Sequence, residues 1–167
     1  MALTGAALIV GHAAQAASLE STSATTTYHS MTIDGVGVFY REAGPKDAPT
    51  LVLLHGFPSS SREFDTLIPL LATHYRLIAP DFPGFGQSDA PPPSSYVYTF
   101  DQLAKTIGDL LEQLKISKCS FYLHDYGGLV GFRGKHQGGA QINQNGSNNS
   151  VIVDASGSKH RFTNYQG

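Results

Sequence analysis

A chain of 167 residues with one cysteine, Cys119, has no partner for an intrachain disulfide and no thiol set for a zinc cluster. That thiol reads as a small apolar side chain packed in a strand. Charge is also sparse: 14% of residues are charged, the net charge is -2, and lysines and arginines are scattered. This leaves no electrostatic footprint for nucleic acid or an anionic membrane surface. No lysine or arginine precedes Arg41, and the apolar stretch near the amino terminus is too short to span a bilayer. No internal repeat is visible. What is present is 41% hydrophobic residues, enough for one globular core in a chain too short for two ordinary domains.

The first residues combine an apolar run, Ala2 to Val10, with Ala14-Gln15-Ala16, the small-x-small pattern that a signal peptidase accepts. Residues 1–16 are therefore expected to be a signal peptide, giving a secreted or periplasmic chain that starts at Ala17. The alternative is an Ala-rich tail on a cytoplasmic protein. Residues 17–28 are rich in Ser and Thr and read as a linker.

Ordered patterning begins at residue 29. SMTID and VGVFYRE flank Asp34-Gly35, a turn dipeptide, and predict a hairpin. TLVLLHG (50–56) and YRLIAPD (75–81) are short, nearly continuous apolar runs, the signature of parallel strands covered on both faces. Ser60-x-x-Glu63 can form a capping box ahead of Phe64, Leu67, Ile68 and Leu71, in a helix that Pro69 should kink. Thr99-x-x-Gln102 repeats the start signal before the stripe Leu103, Ile107, Leu110, Leu111 and Leu114. KCSFYLH (118–124) supplies a further strand. Strands alternating with helices predict a parallel α/β sheet.

Open parallel sheets carry their chemistry beyond the carboxyl ends of the strands. Three such ends hold unusual residues: His55-Gly56-Phe57-Pro58; Asp81 through Asp89, DFPGFGQSD; and His124-Asp125-Tyr126-Gly127-Gly128. Gly84-x-Gly86 lacks the third glycine of a dinucleotide loop and no helix follows it directly, so it reads as a tight loop.

In this order and spacing, HGFP, DFPGFGQSD and HDYGG resemble the α/β-hydrolase fold, and within it the branch with an aspartate nucleophile, the epoxide hydrolases and haloalkane dehalogenases. The resemblance runs from about residue 29 to residue 133. It implies the amino-terminal part of a mostly parallel sheet flanked by helices. It also implies Asp125 as nucleophile, with the backbone N–H groups of Tyr126 and Phe57 as the oxyanion hole. His55, Gly56, Pro58, His124, Gly127 and Gly128 would shape the supporting loops, and Asp81 would order its own loop. No cofactor or metal is implied. One departure is Leu123, where the family usually has a small residue.

The chemistry of a carboxylate nucleophile is distinct. Attack on a saturated carbon gives an ester, whose carbonyl an activated water can open while backbone N–H groups hold the oxyanion. A carboxyl with an ordinary pKa of about 3.9 is already ionised at neutral pH, so the first step needs no base. A small organic substrate with an electrophilic sp3 carbon follows, an epoxide or an alkyl halide. Phe57 stands where many dehalogenases have Asn, and Tyr126 where they often have Trp, which favours the epoxide. The bland reading of Asp125 is a cap on the helix that begins at Gly127.

Residues 134–167 are dominated by Gly, Asn, Gln and Ser and lack periodicity apart from Val151-Ile152-Val153. A complete enzyme of this type needs further strands, a helical lid, a later acid and a late His. Asp154 and His160 follow Asp125 in the right order, yet only 28 residues lie between Asp125 and Asp154, and chance explains them better. The change after Arg133 reads as a frameshift, mis-splice or engineered junction, truncating the fold before the lid and last strands. The expectation is a chain that does not turn over, with the Asp125 strand as an exposed apolar edge open to self-association. The alternative is a non-catalytic fragment or binding protein derived from the same fold.

Overall fold

The computed structural model describes residues 25–133, 141–144 and 150–154. The proposed signal peptide, residues 1–16, and most of the linker lie outside the described residues, as does His160. Among the described residues no helix is long and apolar enough to cross a membrane.

In chain order the elements are β1 (Thr27–Ile33), β2 (Val36–Ala43), β3 (Thr50–Leu54), a 3-10 turn (Ser61–Phe64), α1 (Leu67–Leu71), β4 (Arg76–Pro80), α2 (Phe100–Gln113), β5 (Ser120–His124), α3 (Tyr126–Gly131), β6 (Gln141–Gln144) and β7 (Ser150–Asp154). They form one sheet ordered β1-β2-β4-β3-β5-β7-β6. Its centre, β4-β3-β5, is parallel, as the continuous apolar runs predict. Both flanks are antiparallel, so the sheet is mixed. The β1–β2 hairpin turns at Asp34-Gly35, both with positive φ.

Side chains of β3 alternate between two cores, which is why the strand can be apolar at every position. Val52 and Leu54 join Val38, Ile78, Phe121 and Leu123 beneath α2, which contributes Leu103, Ile107 and Leu110. Leu51 and Leu53 face the other way, against Leu77, Phe64, Ile68 and Ala72. Each fully buried Leu of this kind contributes about 1.5–3 kcal/mol.

The Thr99 hydroxyl accepts from the Gln102 N–H at 3.2 Å and starts α2 where the spacing predicts. Past the helix's cap at Leu114 the chain turns at Lys115, at φ 57, with the Ile116 N–H returning to the Leu111 carbonyl. The Ser60 start differs from its expectation. Ser60 caps only the 3-10 turn, accepting from Arg62 N–H at 3.4 Å, and Glu63 does not close a capping box. Pro69 does not kink a long helix: it sits in the first turn of the separate α1, where its missing N–H has no intrahelical partner to lose.

The expected exposed edge also moves. β5 is paired on both sides, with β3 and with β7, and the sheet's edge strands are β1 and β6. Backbone pairing explains this, since Ser150–Asp154 runs antiparallel along β5 and engages its outward main-chain groups.

Candidate active site

β3, β4 and β5 end side by side, so the HGFP, DFPGFGQSD and HDYGG segments meet along one rim of the sheet. Asp125 occupies the corner between β5 and α3 with φ 48 and ψ -113, a conformation that L residues rarely adopt. Two close approaches allow the corner. A Cβ at Gly127 would strike the Leu54 carbonyl, so α3 can lie against β3 only with glycine there. A Cβ at Gly131 would likewise strike Leu123, and its absence is what makes room for the large residue at a position where a small one is usual.

The Asp125 side chain makes no cap bond to α3. Instead its Oδ1 accepts the Phe57 N–H at 2.9 Å, across 68 residues of sequence. That bond first, and the Tyr126 N–H beside the carboxylate second, hold the carboxyl below the usual range. Asp125 is exposed, and around it stand aromatic rings: Phe57 stacks on Tyr126 at 5.3 Å, Tyr126 meets Phe100 edge-on at 5.1 Å, and Phe57 meets Phe85 at 6.2 Å. The Phe57 ring is 58% exposed.

His55 is fully buried beneath this loop. Its Nε2 accepts the Phe82 N–H at 3.1 Å, so its Nδ1–H donates to the Gly56 carbonyl at 2.9 Å. Burial, above all, holds its pKa below the ordinary value, and the neutral ring serves as a strut between two loops. Pro58 follows Phe57 through a cis peptide, and the Ser59 N–H returns to the Gly56 carbonyl at 3.0 Å. Asp81 is buried and accepts from the Ser61 N–H at 2.6 Å and the Gln87 N–H at 2.8 Å. The second loop is also stitched to β2: Gly37 N–H donates to Asp89 at 2.7 Å and Phe39 N–H to the Ser88 hydroxyl at 2.9 Å.

His124 sits beside Asp125 with Nδ1 3.1 Å from Glu63 Oε1. A carboxylate offers only lone pairs, so this nitrogen carries the proton. Glu63 also accepts from the Gly56 N–H at 3.4 Å. Sequence reading missed Glu63 at the site, together with Phe85 and Phe100. The only signal was the Ser60-x-x-Glu63 spacing, which points to a cap instead. Gly128 lies in the first turn of α3, its N–H donating to the Asp125 carbonyl at 2.9 Å. Asp154 ends β7 opposite Ser120, at the far end of β5 from Asp125. Among the described residues no group of three or more His, Cys, Asp or Glu side chains could hold a metal ion.

A family model described as the alpha/beta hydrolase fold matches residues 49–133. An uncharacterised hydrolase of Saccharomyces cerevisiae is 54% identical over 100 residues, 60% of this chain and 34% of the relative. A haloalkane dehalogenase of Psychrobacter cryohalolentis is 41% identical over 97 residues, 58% of this chain and 32% of the relative. The solved structure of an epoxide hydrolase, CorEH, superposes with a TM-score of 0.61 at 35% identity, covering 65% of this chain and 37% of its own. The chain thus spans about a third of the length of the curated relatives it matches.

Proposed function

The chain belongs to the α/β-hydrolase fold family, and from that premise we propose that it carries the aspartyl half of an epoxide hydrolase-like reaction. The observation that supports this is the Asp125 carboxylate, exposed on a strained corner and accepting the Phe57 N–H at 2.9 Å. A carboxylate oxygen attacks an epoxide carbon and the C–O bond forms. The ring C–O bond breaks, and its electron pair stays on the substrate oxygen, which takes a proton from water. The product is an ester on Asp125. Its carbonyl oxygen would be the Oδ1 that accepts the Phe57 N–H, and that donor, with the Tyr126 N–H, would hold the oxyanion when water adds.

That second step needs a base, which typically contributes about 10²- to 10⁴-fold. His55 has both ring nitrogens engaged, by Gly56 and Phe82, whereas His124 has only Nδ1 held, by Glu63. Among the described residues no hydrogen bond directs either ring at Asp125, and on that ground the chain is expected to stop at the ester. The epoxide is favoured because the Phe57 ring has no donor to offer a departing halide. The dehalogenase reading is the second one, and the 41% identical haloalkane dehalogenase supports it.

Incubation of the full chain with a reactive epoxide and with a bromoalkane, followed by intact-mass analysis, tests both. One added equivalent from the epoxide, absent in Asp125→Asn, is expected. Stoichiometric bromide release with the bromoalkane alone would move the assignment to dehalogenation. Sustained product release abolished by both Asp125→Asn and His160→Ala would show that the carboxyl-terminal segment supplies the base.

A further inference from the structure

We propose that Glu63 is a positioning residue whose carboxylate ties the Gly56–Phe57 loop to the His124–Asp125 turn and so holds the Phe57 N–H on the Asp125 carboxylate. The two bonds are made by the residues that immediately precede the partners of that contact. Glu63 Oε2 accepts from Gly56 N–H at 3.4 Å, next to Phe57, and Oε1 accepts from His124 Nδ1–H at 3.1 Å, next to Asp125. Gly56 is buried, and a buried N–H left without an acceptor is costly, so the bond to Glu63 fixes the loop as well as decorating it. The Glu63 side chain is itself mostly shielded, at 18% exposure. Had the residue served its own helix start, it would bond to the Ser60 N–H, and it does not. The inference rests on the reading of the Phe57 N–H as an oxyanion donor. The charged and titratable groups around Glu63 are His124 at the end of β5 and His55 at the end of β3.

The predicted sign separates positioning from charge. Removing a nearby negative charge leaves the Asp125 carboxyl unchanged or more acidic, whereas releasing the Phe57 N–H makes it less acidic, because that bond is the first cause of its low pKa. The experiment follows the Phe57 amide proton and the Asp125 carboxyl carbon by NMR across an acid titration of the full chain. It uses no electrophile, so it stands whether or not Asp125 is alkylated. In the parent chain the Phe57 amide shifts with the titration of Asp125. In Glu63→Leu that response is lost and the Asp125 pKa rises toward the ordinary carboxylate value. Glu63→Gln, whose amide oxygen still accepts, keeps much of the response. Should Glu63→Leu fail to fold, Glu63→Asp decides, since it keeps the charge and shortens the reach, and it is expected to lose the response too. A Phe57 amide that follows Asp125 as in the parent chain in every folded variant lacking the bridge would overturn the proposal.

Discussion

Two carboxylates follow the parallel strands that flank β3, one on each side, and their surroundings differ. Asp81, after β4, is 1% exposed and spends both oxygens on backbone N–H groups of Ser61 and Gln87. Asp125, after β5, also accepts a backbone N–H, from Phe57, but it is exposed and sits at φ 48. Backbone donors alone therefore do not mark a reactive carboxylate. Access from solvent and a corner that lifts the side chain off the sheet distinguish Asp125 from a residue that only folds a loop.

Substitutions can break this contrast, beginning where the corner is packed. Gly127→Val drives side-chain carbons into the Leu54 carbonyl and is expected to destabilise the chain by about 3 kcal/mol in urea denaturation, with loss of the Asp125 geometry. Asp81→Ala leaves the Ser61 and Gln87 N–H groups without their acceptor, for a loss of about 2 to 3 kcal/mol. Asp125→Gly should do the opposite. Glycine adopts positive φ freely, and relief of that strain is expected to raise stability by about 1 kcal/mol while removing all reactivity.

The smallest effect concerns His55, which lies between the two corners. Burial holds its folded pKa below the ordinary value of 6.5. Above that value the ring is neutral in both folded and unfolded chains, and pH has no leverage through it. As pH falls below it, the unfolded chain takes up a proton that the folded chain resists, so stability declines. Thermal melts of His55→Gln should show a shallower decline between neutral and mildly acid pH.

Much of this was legible before the fold was known. The two-faced burial of β3 and β4 follows from unbroken apolar runs, and the start of α2 from Thr99 and Gln102. The Asp125 corner carried its own signal in His124-Asp125-Tyr126-Gly127-Gly128. The Phe57 contact did not, because 68 residues separate the partners and only a family resemblance suggested the pairing. Glu63 was misread because a capping box and a loop bridge use the same residue at the same spacing. β6 escaped for a different reason: Gln141–Gln144 has little apolar pattern, and its place in the sheet depends on main-chain pairing with β7.

Asp125 is predicted to be reactive where Asp81 is not, and peptide-level mapping of the epoxide adduct compares them directly. The full chain is labelled under native conditions and again in urea, then digested. The ester is predicted on the peptide containing Asp125 and absent from that containing Asp81 in the folded chain, with the preference gone in urea. Because its N–H bonds hold Asp125 ionised below the usual carboxylate range, native labelling should persist as pH falls to about 4, near the ordinary value. Equal labelling of both peptides in the folded chain, or none at Asp125, would contradict the account.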